Sequence, residues 1–170
     1  MPPEPKPPAA PIQPALSALV VATREAINQG RLDAARSTAA QIAQLYPDAP
    51  ELNQLGREMA DAARAAEERS VRAAVDAYAD AFSTRRIDAI RAVYPGIPAR
   101  VLKEVASLPR DLRSYEMRIT VTGIDLRDNR ATVQCTIFHN SITFSGKPLS
   151  VNSREELVFE RKGSTWVRVN

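Results

Sequence analysis

Val71-Arg-Ala-Ala-Val-Asp-Ala-Tyr-Ala-Asp-Ala-Phe-Ser-Thr-Arg-Arg-Ile-Asp-Ala-Ile-Arg-Ala-Val-Tyr94 decides how the second half of this chain is read. Val71, Val75, Tyr78 and Phe82 stand three to four residues apart, so they line one side of a helix. The polar run Ser83-Thr84-Arg85-Arg86 breaks the stripe. Ile87, Ile90, Val93 and Tyr94 resume it as a short second helix, which Pro95-Gly96 ends. Pro98 to Leu108 then predicts a third helix with Val101, Leu102, Val105 and Leu108 inward, closed by Pro109.

After those helices the apolar period changes to two. Tyr115, Met117, Ile119 and Val121 alternate with Glu116, Arg118, Thr120 and Thr122, which predicts a first strand half-buried on one face. Gly123 interrupts it and suggests a bulge before Ile124 and Leu126. Asp128-Asn129 predicts a hairpin turn. A second strand follows with Ala131, Val133, Cys135 and Ile137 on one face, but its apolar parity then slips to Phe138, Ile142 and Phe144. That slip predicts a bulge or sharp bend. Ser145-Gly146-Lys147 turns the chain into a third strand carrying Leu149, Val151, Leu157 and Phe159. Lys162-Gly163 turns it again into Trp166-Val-Arg-Val169. Helices first and an antiparallel meander after them make the class α+β.

Upstream of this domain, residues 1–14 hold most of the prolines and read as an extended, disordered tether, because proline fixes φ and removes backbone donors. Leu16, Leu19, Val20, Ala26 and Ile27 recur at helical spacing and end at Gln29-Gly30. Leu32, Ala35, Ala39, Ile42 and Ala43 form the stripe of a second helix, stopped by Pro47. A third, from about Pro50, must cover this hairpin through Leu52, Leu55, Met59 and Ala62-Ala63, and is expected to run on into the helix that opens the next domain. The expected division is therefore a tether over 1–14, a helical region over 15–66 and an α+β domain over 67–170.

Composition excludes several classes. No apolar run reaches the roughly 18–20 residues needed to span a bilayer. The first residues have no apolar core of a signal peptide, so location stays open, cytoplasmic or reached through a segment upstream of Met1. One cysteine, Cys135, and one histidine, His139, preclude a disulfide framework and argue against a zinc site. The net charge of +3 invites nucleic acid as a partner. Lysine and arginine stand at 6 against 7 acids up to Ala66, and at 17 against 13 from Glu67 on, interleaved throughout. A mixed solvated surface fits that pattern better than a nucleic-acid face.

Val75-x-x-Tyr78-x-x-Ala81 followed by Asp88-x-Ile90, with the strands behind them, resembles the opening of nuclear-transport-factor-2-like, or ketosteroid-isomerase-like, cone domains over about the last hundred residues. The resemblance implies three helices packed on a bent antiparallel sheet around a hollow. In the isomerases the tyrosine at the place of Tyr78 donates a hydrogen bond to an enolate oxygen. Leu19, Gly30, Ala35 and Pro47 resemble one tetratricopeptide-repeat unit, which implies a surface for partners.

The catalytic partners that the isomerases require are not evident: the second helix ends in Val93-Tyr-Pro-Gly-Ile-Pro98, without an acid. If the odd positions of the third strand face inward, Ser153 and Glu155 do too, and a half-buried carboxylate could serve as a base. A bulge near Asn152–Arg154 would instead turn Glu155 to solvent, paired with an arginine. A lone tyrosine such as Tyr78 is more often a core aromatic with a satisfied hydroxyl than an oxyanion donor. His139 lacks an identifiable partner, and Trp166 packs the sheet. The candidates to line a pocket are Tyr78, Tyr115, Phe138, Glu155 and Trp166. No catalytic residue, cofactor or metal is assigned, since no phosphate loop, paired-acid signature or nucleophile elbow is present. The reading is a non-catalytic binding or assembly module, with a protein partner, self-association or a small apolar ligand. The alternatives are an isomerase or dehydratase using Tyr78 and Glu155, and then a nucleic-acid binder.

Overall fold

Ile12 opens the first helix of the computed structural model, which describes residues 12–169; the proline-rich segment through Pro11 lies outside them. Helix α1 (Ile12–Asn28) begins earlier than the periodicity indicated, so 12–14 are helical and not tether. Pro14 is accommodated because N–H groups of the first turn have no intrahelical acceptor to lose. Contacts divide the chain into two compact units, one through Ala66 and one from Glu67.

In the first unit α1 is joined to α2 (Leu32–Leu45) through Gly30, whose φ of 71° is left-handed. Gly30 N–H donates to the Ile27 carbonyl and Arg31 N–H to that of Ala26, the paired bonds of a Schellman end. The buried alanines Ala26, Ala35 and Ala39 keep side-chain bulk out of the hairpin. Its core is Val20, Ile42 and Leu55, the last from α3 (Glu51–Thr84). Thr23 is fully buried, and its hydroxyl donates to the Leu19 carbonyl at 2.8 Å. As expected, α3 runs on without interruption into the residues of the second unit.

In the second unit the remainder of α3 is followed by α4 (Ile87–Val93) and α5 (Ala99–Asp111). Pro109 does not close α5: the backbone stays helical to Asp111 and passes directly into a strand. Strands β1 (Leu112–Arg127), β2 (Arg130–Thr143), β3 (Pro148–Lys162) and β4 (Thr165–Val169) form one antiparallel sheet in chain order. The expected turns are in place: Asp128 takes a φ of 51°, Gly146 of 83° and Gly163 of 64°.

Register explains which side chains meet. The β1–β2 pairing shifts between Val121 and Gly123, where the glycine suggested a bulge. It does not shift in β2 where the apolar parity slips; Arg118↔Phe138 and Ile119↔Ile137 are consecutive pairs. Phe138 and Ile142 belong to the opposite face of a strand paired without interruption, so the parity slip marks no bulge in β2. The β2–β3 pairing is equally continuous from Arg130↔Glu160 to Ile142↔Pro148, with no bulge at Asn152–Arg154.

Residues directly opposed across strands share a face. Val133, Cys135 and Ile137 are buried against the helices, so their partners Leu157, Glu155 and Ser153 point the same way. Val71, Val75, Tyr78, Phe82, Ile90, Tyr94 and Val105 meet that face in a single core. The Ser83 hydroxyl locks α3 to β1, accepting from Met117 N–H at 2.8 Å and lying 3.3 Å from the Met117 carbonyl.

Candidate functional site

Tyr78 occupies the middle of the apolar stripe of α3 and is 3% exposed. Its ring packs on Phe82 at 4.7 Å between centroids and stands 6.4 Å from Tyr94, which follows the end of α4. A buried phenol needs a partner for its oxygen, and β4 supplies one: Arg168 Nη1 donates to Tyr78 Oη. The Arg168 guanidinium also lies over both tyrosine rings, 4.9 Å from the centroid of Tyr78 and 4.7 Å from that of Tyr94. Burial pushes the Tyr78 hydroxyl up to about 12, outweighing the Arg168 charge that lowers it.

Glu155 faces the same side of the sheet and contributes to the field at Tyr78. It is solvent-exposed, and its carboxylate accepts from Ser153 Oγ at 2.7 Å. Cys135, its cross-strand neighbour, is a buried free thiol that donates to the Glu155 carbonyl over 3.6 Å. Burial, reinforced by the Glu155 charge, raises that thiol's pKa and keeps it protonated.

Tyr115 and His139 lie further along this face and share a hydrogen bond of 2.7 Å between Tyr115 Oη and His139 Nδ1. Burial raises the Tyr115 hydroxyl to about 12. Trp166 is 6% exposed and has the Arg161 guanidinium 4.9 Å from its ring; Arg161 in turn is ion-paired with Glu67 of α3. Phe138 stands apart, on the other face between Arg118 and Asn152. Among the described residues, no group of three or more His, Cys, Asp or Glu side chains is placed to hold a metal.

Tyr78 meets the face of the sheet to which Glu155 belongs, and sequence reasoning missed its partner there: Arg168, with Tyr94 as the second flank of the guanidinium. The signal was present. Arg168 follows Trp166 by two residues and therefore shares its face of β4.

An α+β unit with helices on one face of a four-stranded antiparallel meander, and a bulged first strand, is the arrangement to compare with known proteins. It has the nuclear-transport-factor-2-like cone fold. A nuclear-transport-factor-2-like superfamily protein from Salmonella enterica serovar Typhimurium matches with a TM-score of 0.54 at 9% identity, over 62% of this chain and 88% of that one. A conserved protein from Planctomyces limnophilus gives 0.54 at 14% identity, over 61% and 91%. A candidate dehydratase of the same fold from Streptomyces avermitilis gives 0.52 at 17% identity, over 62% and 92%. No protein-family model matches the sequence, and comparison with curated proteins found no match.

Proposed function

We propose that the chain is a binding module in which the cone receives a small ligand or a partner and carries out no turnover. The observation behind this reading is the Arg168–Tyr78 contact. An enolate-stabilising tyrosine works beside a protonated carboxyl, whereas here the phenol oxygen is already engaged by a cation. A phenol raised to about 12 is also a poor general acid near neutrality. The helical hairpin, similar to one tetratricopeptide-repeat unit, fits a protein that docks onto others, such as a regulatory or envelope protein of a bacterium. Self-association belongs to the same reading.

Two observations favour the enzymatic alternative: Glu155 lies on the helix-facing side of the sheet and its charge reaches Tyr78, and a matched structure is a candidate dehydratase. The test is turnover of a β,γ-unsaturated steroid ketone and of a β-hydroxy ketone by the intact chain and by Glu155→Gln. Equal background rates are expected. A drop of tenfold or more in the variant would establish Glu155 as a base and overturn the binding reading.

A further inference from the structure

Strand β3 has one edge that its own chain fills only in part. β4 pairs with it from Val158 to Lys162, and among the described residues no strand pairs with the same edge from Pro148 to Leu157. Natural sheets blunt such an edge with a bulge or cover it, but the β2–β3 register runs unbroken along this stretch. The sheet's other edge differs: both backbone groups of Met117 are engaged by Ser83. By register Leu149 and Val151 stand on the helix-facing side, opposite Ser141 and His139. They are nevertheless 42% and 63% exposed. The open edge therefore carries unpaired backbone groups beside uncovered apolar side chains.

We infer that this edge pairs with the same edge of a second copy, antiparallel about a two-fold axis through Val151. A two-fold makes the contact isologous, so that residue i faces j and j faces i. Facing residues share a side of the sheet, so the axis passes through a residue and both copies keep their helices on one side. With Val151 on the axis, Leu149 faces Ser153, Ser150 faces Asn152 and Lys147 faces Glu155, each twice. Lys147 and Glu155 are both exposed, and this register brings their opposite charges together at each end. An axis at Asn152 would set Leu149 against Glu155, and one at Ser150 would set Lys147 against Ser153. The partner strand also stops clear of β4: its Pro148 comes to face Arg154, whereas Val169 lies opposite Val158. This inference rests on the binding reading above and gives its self-association a surface and a register.

Sedimentation velocity of the full chain over a dilution series is expected to show a reversible dimer. Lys147→Glu and Glu155→Lys each turn two attractions into two repulsions, and each should weaken the dimer about tenfold or more. The double variant restores both pairs and should return to within about threefold of the parent. Val151→Cys gives a covalent test, because facing residues of an antiparallel pair stand about 4.5–5.5 Å apart, within reach of a disulfide. The parent's one cysteine, Cys135, is buried. Under mild oxidation Val151→Cys should therefore join two chains, whereas Glu156→Cys, exposed but far from the axis, should not. All of these positions are exposed, and circular dichroism checks the fold of each variant. A monomer at every concentration, charge reversals without effect, a double variant that stays weak, or no cross-link at Val151→Cys overturns the inference. A monomeric chain would still leave the cone a ligand or a foreign partner, whereas turnover lost in Glu155→Gln removes the binding reading itself.

Discussion

Tyr78 and Tyr115 carry the strongest electrostatic signature of the chain, since burial raises both hydroxyls to about 12. The chain has four tyrosines, and absorbance at 295 nm should show two of them ionising late in the alkaline titration. Linkage gives the sign. The unfolded phenols release protons near pH 10, before the folded ones, so these groups' contribution to stability is complete below about pH 10 and lost as pH rises through about 12. The loss is on the order of a few kcal/mol. Four phenols titrating together near 10 would contradict the burial described. Helical spacing placed Tyr78 in the core, whereas the direction of Glu155 stayed open until the unbroken β2–β3 register put it on the helix-facing side with its carboxylate exposed. Spacing from Trp166 was enough to put Arg168 on the covered face of β4, but which rings it meets there depends on packing that the spacing does not carry. Phe138 was misplaced for a related reason: alternation identifies two faces but not which one the helices cover.

Ser83 shows how single side chains fasten one element to another. Its hydroxyl serves both backbone groups of Met117 on the free edge of β1. Ser83→Ala leaves them unsatisfied against a residue only 7% exposed, and should cost about 1–3 kcal/mol by chemical denaturation; a change below about 0.5 kcal/mol would show that water replaces the hydroxyl. The two informative glycines behave oppositely. Gly30→Ala must hold a left-handed φ of 71° and should destabilise by about 1 kcal/mol. Gly123 sits at the β1 register shift without a positive φ, and an added Cβ would meet Gln134 Oε1 at an ordinary 3.5 Å. Gly123→Ala should therefore be neutral within about 0.5 kcal/mol. The bulge was legible from the glycine, but glycine is not what the backbone requires there. Pro14 and Pro109 were over-read as boundaries. A proline removes one donor and restricts its predecessor, but it leaves neighbouring turns free to stay helical when packing favours them.

The chain as a whole is two cores of unequal size sharing the sequence of one helix. The core of the second unit draws only on residues from Val71 onward, so the fragment from Glu67 to Asn170 should unfold cooperatively with the β-rich far-ultraviolet spectrum of the sheet. A fragment that is molten, without near-ultraviolet signal, would show that its fold depends on the first unit. The first unit buries three large residues at its centre, Val20, Ile42 and Leu55, too few for independent stability. Fold class was readable because helix and strand periods are properties of the sequence, whereas the setting of Arg168 depends on contacts with Tyr78 and Tyr94 that no local pattern encodes. The arginine at that junction is what most directly tests the binding reading. In ¹⁵N-labelled intact protein, one Nε–H signal, absent from Arg168→Lys, should be displaced by the ring currents of Tyr78 and Tyr94 and exchange slowly with water. Arginine Nε–H signals that all stand at solvent-exposed positions and exchange fast would contradict it.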